Sequence, residues 1–187
     1  MTDAPAAKGV FAVSASKAPP TNRRIEILQR IPILEGLSAD ELGKVLEVMT
    51  ESEVSPGEEI IREGEPGDTL YVLVEGSVQV SKAVTLKISR RDFGEKEKRL
   101  SVLEGRHLPV FGEVALLENS ERTATVTALA QSRLLQIERS RFERLCDQEP
   151  VIGCRILRNI AKDVCARLRK ADSDILKLTT ALSLALK

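Results

Sequence analysis

Residues 56–80 read PGEEIIREGEPGDTLYVLVEGSVQV. Three apolar pieces, Ile60-Ile61, Leu70–Val74 and Val78–Val80, are separated by Pro56-Gly57, Gly64, Pro66-Gly67-Asp68 and Glu75-Gly76. Gly and Pro at this density mark turns, and the β-branched and large apolar residues between them are strand formers. Turns this tight leave no room for the crossover helices of a parallel sheet. The stretch therefore predicts a mainly β fold, an antiparallel jelly-roll-like β-roll of about eight strands. Further strands are expected at Leu86–Ile88, Arg99–Leu103, Thr123–Leu129 and Arg133–Ile137, with the charged Ser89–Lys98 as an exposed hairpin tip.

Outward from the roll the period becomes helical. Upstream, a short helix is expected near Asn22–Ile31, closed by Pro32. Ser38 with Glu41 has capping-box spacing, and Leu42, Val45, Leu46 and Met49 then form an amphipathic stripe. Downstream, Ser140–Cys146 reads as a short helix. Pro150 opens a long one, with Ile152, Ile156, Ile160, Val164, Leu168, Ile175, Leu178, Leu182 and Leu186 along one side. Such a stripe runs past what a small roll can cover. A second copy of the same helix is the simplest cover, and folding back onto the roll is the alternative. The expected organisation is a flexible leader at 1–20, the roll with its N-terminal helices at 21–150, and the long helix at 151–187.

Bulk properties narrow the function classes. The 28 basic and 28 acidic residues cancel, which argues against a chain that mainly coats nucleic acid or an anionic membrane. No apolar run approaches the ~20 residues of a transmembrane helix, and residues 1–20 lack the pattern of a signal peptide. Cys146, Cys154 and Cys165 lack the close pairing of a metal site, so they read as half-buried helix residues in a reducing, cytoplasmic compartment.

The chemistry concentrates in Phe111-Gly112-Glu113-Val114-Ala115-Leu116-Leu117 and the following Glu118–Thr125. Gly112 permits close backbone approach to a ligand. Arg122 stands where a strand is expected to begin, facing either solvent or an anion held by a forked pair of hydrogen bonds. Glu113 offers an acceptor suited to a sugar hydroxyl. From the residues alone, two readings stay open: a surface ion pair across a turn, or a site for a ribose phosphate.

These residues resemble the phosphate-binding cassette of cyclic-nucleotide-binding domains of the catabolite-activator and protein-kinase-A regulatory type. Phe111, Gly112, Glu113, Ala115, Leu116, Arg122, Thr123, Ala124 and Thr125 match it without a gap. Pro56-Gly57-Glu58, Glu63-Gly64-Glu65, Gly67-Asp68, Leu70-Tyr71 and Glu75-Gly76 are similar to the family's glycine-punctuated roll, and the resemblance covers roughly Ile31 to Asp172. It implies that Glu113 bonds the ribose 2′-hydroxyl and Arg122 an exocyclic phosphate oxygen. Gly112, Val114, Ala115 and Ala124 would line the ligand, Thr123 would add a hydroxyl, and Leu73 and Val110 would form apolar walls. The implied ligand is cAMP or cGMP, with cAMP favoured on family frequency, and no metal. No general base stands beside a water or metal in the cassette, so the expected protein binds without catalysis.

The chain also departs from the family pattern. Gly105 is separated from Phe111 by Arg106-His107-Leu108-Pro109-Val110, and Pro109 cannot donate to a ladder. His107, the single histidine, is expected to be a loop residue and not a ligand. The helix pair that reads adenine in catabolite-activator-like members falls on Ala171-Asp172, leaving Arg169 and Asp172 as candidate base contacts. The sequence reaches Lys187 without a winged helix-turn-helix, so direct DNA binding is not expected. The resemblance implies a sensor that signals by reorienting its long C-terminal helix, pairs as a homodimer through that helix, and addresses an unidentified effector protein. The alternative is an interaction or scaffold module that has kept the fold and lost the nucleotide.

Overall fold

Residues 56–80 do fold into antiparallel strands. The computed structural model describes residues 21–87, 93–118 and 120–186, and the expected leader lies outside them. The strands are β1 (Thr50–Val54), β2 (Glu59–Ile61), β3 (Thr69–Glu75), β4 (Ser77–Lys87), β5 (Phe93–Glu104), β6 (Val110–Phe111), β7 (Thr125–Ala128) and β8 (Ser132–Glu138). They form two four-stranded sheets, ordered β1-β8-β3-β6 and β2-β7-β4-β5, with every pairing antiparallel. The helices are α1 (Thr21–Leu28), α2 (Ala39–Val48), α3 (Val114–Leu117), α4 (Arg139–Gln148) and α5 (Pro150–Ala185). This is a β-roll with flanking helices and a long C-terminal helix.

The described chain groups into a roll, Met49–Arg139, and a helical unit made of Asn22–Val48 with Ser140 onward. Inside the roll, Ile61, Tyr71, Leu73, Val78, Phe111 and Val126 belong to one buried cluster. Alternation of inward and outward residues sets this core, as in β7, where Val126 and Ala128 are buried and Thr125 and Thr127 are half-buried.

Three strand expectations need correction. The pieces Val78–Val80 and Leu86–Ile88 are not separate strands, because Ser77–Lys87 is continuous and Ile88 is outside the described residues. Along β4 the alternation Val78, Val80, Val84, Leu86 is interrupted by the exposed Lys82, which is why the apolar pattern looked broken, and the register shift between Val80 and Ser81 leaves its extra residue, Leu100, on β5. The expected tip Ser89–Lys98 is shorter, since residues 93–98 pair within β5 and 88–92 lie outside the described residues. Strand β7 begins at Thr125 and not at Thr123, so Arg122 precedes it. Strands β1 and β6 carried no readable signal.

Within the helical unit the capping box forms as its spacing predicts. The Ser38 N–H donates to Glu41 Oε2 at 2.7 Å, and the Glu41 N–H donates to Ser38 Oγ at 3.3 Å. These bonds, the backbone one foremost, hold the Glu41 carboxyl below its ordinary pKa. Asn159 Nδ2 donates to the carbonyls of Ile33 (3.2 Å) and Glu35 (2.9 Å), and Arg155 donates to that of Gly36, which ties the Pro32–Leu34 turn to α5. Along the α5 stripe only the first residues are covered. Ile152, Ile156 and Ile160 are buried, whereas Val164, Leu168, Ile175, Leu178, Leu182 and Leu186 are exposed. The cysteines are free, and Cys154 and Cys165 are exposed where half-burial was expected. Cys146 alone is half-buried, and that burial raises its thiol pKa.

Candidate functional site

Arg122 is fixed by its backbone before its side chain is considered. Its N–H donates to the Glu65 carbonyl at 2.9 Å and its carbonyl accepts from the Gly64 N–H at 2.9 Å, beside a bridge between Pro66 and Glu121. The turn signals at Gly64 and Pro66-Gly67 thus clamp residues more than fifty positions downstream. The side chain then lies across Gly67. A Cβ at Gly67 would stand 2.2 Å from Arg122 Nε and 2.6 Å from Cζ, so only glycine leaves the guanidinium this seat.

Gly112 closes the other side. Its φ of 75° is one that side-chain-bearing residues rarely adopt, and a Cβ there would meet Arg122 Nη1 and the Thr69 carbonyl oxygen, each at 2.9 Å. Phe111 just before it stacks on Tyr71 with ring centroids 5.5 Å apart, which anchors the segment to β3. Held this way, Arg122 Nη2 donates to the Thr69 carbonyl at 3.0 Å, while Nη1 is buried without a hydrogen-bond partner. Burial lowers the pKa of this guanidinium, with a further push from the like charge of Arg139. Arginine remains protonated under any ordinary condition. The roll therefore holds a half-buried cation with donor capacity unused, an arrangement that favours an anion.

Glu113, the other residue singled out from the sequence, is buried at the N-cap of α3, and its carbonyl accepts from the Leu116 N–H at 3.1 Å. Val114 and Ala115 follow in α3, half-buried and buried respectively. The Ala115 N–H donates to the Gly112 carbonyl at 3.2 Å. Thr123 is exposed and Ala124 half-buried. Leu73 is fully buried within the roll's core, and Val110 is half-buried in β6. Cassette residues Gly112–Ala115 and Arg122–Ala124 thus lie in one unit, with Gly112 directly on Arg122. Arg169 and Asp172 are exposed on α5, in the helical unit.

The inserted segment has a simple structural solution. Gly105–His107 makes one 3-10 turn, Leu108 is buried with φ 48°, and the Pro109 carbonyl accepts from the Leu73 N–H at 3.0 Å. β6 is an edge strand, where a proline's missing donor costs little. His107 is exposed beside Arg106, whose Nε donates to His107 Nε2 at 3.0 Å. Sequence reasoning missed Gly67 as a seat, the Thr69 carbonyl as an acceptor, and Arg139, whose guanidinium grips the carbonyls of Ala115 and Glu118.

Residues 51–149, more than half of the chain, match the family model of the cyclic nucleotide-binding domain. The chain belongs to that family. It is 32% identical over 121 residues to a cAMP-dependent protein kinase regulatory subunit of Dictyostelium discoideum, a match covering 65% of this chain and 35% of the relative. A putative potassium channel protein of Rhodopseudomonas palustris is 28% identical over 130 residues, covering 70% of this chain and 29% of the relative. The chain thus spans about a third of the length of these relatives. Among solved structures, the Thermus thermophilus catabolite activator protein superposes with a TM-score of 0.67 at 26% identity, over 79% of this chain and 63% of that one. The regulatory domain of Toxoplasma gondii protein kinase A, crystallised with cAMP, has a TM-score of 0.58 at 26% identity, over 76% and 50%. Among the described residues no helix is long and apolar enough to cross a membrane.

Proposed function

We propose that this domain is a non-enzymatic cyclic-nucleotide receptor, with Arg122 holding the cyclic phosphate and Glu113 the ribose 2′-hydroxyl. The observation that carries it is the buried Arg122 Nη1, a guanidinium nitrogen with no acceptor in a seat lined by two glycines. A phosphate oxygen supplies the missing acceptor and the missing negative charge. Gly112, Val114, Ala115, Thr123 and Ala124 are the neighbouring ligand contacts in this reading, with Leu73 and Val110 as walls. The favoured nucleotide is cAMP over cGMP, in line with the cAMP-dependent kinase subunits and the cAMP-bound neighbour. Arg169 and Asp172 are the proposed base contacts.

Signalling runs through α5 in this proposal, as a change in the set of the helix that favours one of two positions with different nucleotide affinity. Homodimerisation through the same helix is supported by its exposed seam. Val164, Leu168, Ala171, Ile175, Leu178, Leu182 and Ala185 alternate spacings of four and three, the a/d pattern of a two-stranded coiled coil. The free cysteines fit a cytoplasmic location, and an effector protein would take the signal.

A thermal-shift panel of cAMP, cGMP and cyclic dinucleotides tests the receptor reading, because a ligand that binds the folded state raises its melting temperature. A rise with cAMP exceeding that with cGMP is expected. No rise with any member of the panel would leave the interaction-module alternative. Light scattering checks the pairing: the mass of two chains is expected, and the mass of one contradicts it.

A further inference from the structure

Tyr71 puts a phenol into an apolar part of the roll. The residue is 8% exposed and shares one buried cluster with Ile61, Leu73, Val78, Phe111 and Val126. A phenylalanine would fill that place. A phenol there needs a polar partner for its hydroxyl, which otherwise costs free energy. The backbone shows where that partner lies. Tyr71 pairs in register with Phe111 and the two rings stack. The next residue is Gly112, whose missing Cβ leaves room for Arg122 Nη1. Two positions before Tyr71 on β3 is Thr69, whose carbonyl accepts from Arg122 Nη2 at 3.0 Å. The ring is thus flanked, along both strands, by the residues that seat the Arg122 guanidinium.

Electrostatics point the same way. Burial raises the pKa of the phenol, and the Arg122 cation, followed by the Thr69 hydroxyl, pulls against that rise, while Asp68 and Glu138 add to it. In return, the phenol is the largest influence on Arg122 after burial. The net direction for Tyr71 is upward, so it keeps its proton near neutral pH and can donate it in a hydrogen bond.

We propose that the Tyr71 hydroxyl is a second donor of the anion seat, giving its hydrogen bond to an exocyclic oxygen of the phosphate that Arg122 holds. The guanidinium supplies the charge, and the phenol supplies direction from a ring locked by its stack on Phe111. A hydrogen bond to a charged acceptor is stronger than one between neutral groups, which offsets the place of the hydroxyl among apolar neighbours. The inference rests on the receptor reading above and adds a polar contact from β3, outside the Phe111–Thr125 cassette.

The test is a titration of wild type and Tyr71→Phe with cAMP and cGMP, each also as its two phosphorothioate diastereomers, in which sulfur replaces one or the other exocyclic oxygen. Tyr71→Phe keeps the ring and its stack, so its melting temperature without ligand should stay close to wild type. Its affinity for the nucleotide should fall by about 10-fold. Sulfur accepts hydrogen bonds poorly. The diastereomer whose sulfur faces Tyr71 should therefore lose at least about 3-fold less affinity in Tyr71→Phe than in wild type, while the penalty for the other is the same in both proteins. A merely structural role for Tyr71 leaves nucleotide affinity equal in the two proteins, which overturns the proposal. A fall in affinity with both diastereomers penalised alike in the two proteins overturns it too. If Tyr71→Phe is less stable than expected, the diastereomer comparison still decides, because each penalty is measured within one protein. A wild type that binds neither nucleotide overturns the receptor reading itself, before any variant is compared.

Discussion

Arg122 and Arg133 belong to the same roll, and each has one guanidinium nitrogen buried without a hydrogen-bond partner. Their surroundings are opposite. Arg133, in β8, pairs with Glu51 on β1 at 2.9 Å and with Glu75 on β3, so its charge is matched across three neighbouring strands. Burial pulls its pKa down, and the two carboxylates more than restore it. Arg122 meets main-chain carbonyl and glycine instead, with no ion pair among the described residues, and its pKa is lowered by burial. One arginine fastens strands together; the other keeps a donor that nothing in the described roll accepts. A fold gains nothing from an uncompensated cation unless something else compensates it, and this difference is the main physical reason to place a ligand at Arg122.

The comparison can be broken by exchanging phenotypes. Arg133→Ala should cost about 2 kcal/mol of stability, because it removes the cation that Glu51 and Glu75 share, while nucleotide affinity stays unchanged. Arg122→Ala without ligand should melt close to wild type. Chemical denaturation of both variants checks this, and a large loss in Arg122→Ala would make it a structural residue like its neighbour. Gly67→Ala sharpens the contrast with a smaller effect. The added Cβ displaces the flexible guanidinium rather than any backbone, so affinity should fall about 10-fold, or ~1.4 kcal/mol, with little change in stability. Fluorescent-nucleotide displacement measures it.

Glu41 gives the smallest effect and shows what an exposed capping-box hydrogen bond is worth in water. Its carboxyl pKa is lower in the folded state than in the unfolded one, so its contribution is present above the unfolded value and lost as pH falls through the folded one. Glu41→Gln should therefore be slightly less stable than wild type at neutral pH, and the gap should close on acidification. Parallel thermal melts across that range check it.

Much of this was legible in the sequence where a local rule governs. The Gly112-to-Thr125 cassette is legible only through its resemblance to a known family, whereas the capping box at Ser38 and Glu41 and the α5 stripe declare themselves by spacing. Strand β1 did not, because in Thr50-Glu51-Ser52-Glu53-Val54 only Val54 is buried and the rest reads as polar loop. Strand β6 is two residues long, below any periodic signal. Gly67 looked like an ordinary turn residue, since its packing against Arg122 is a contact between segments far apart in sequence. Arg139 was hidden for the same reason: its partners are main-chain carbonyls, which have no sequence identity to recognise.

The central claim is that the unsatisfied guanidinium of Arg122 is the seat of a cyclic phosphate. Isothermal titration of cAMP into wild type and Arg122→Ala, side by side, tests it most directly. The account predicts one site per chain in the wild type and affinity at least ~100-fold weaker in the variant, about 2.7 kcal/mol. Equal affinity in the two proteins would contradict it.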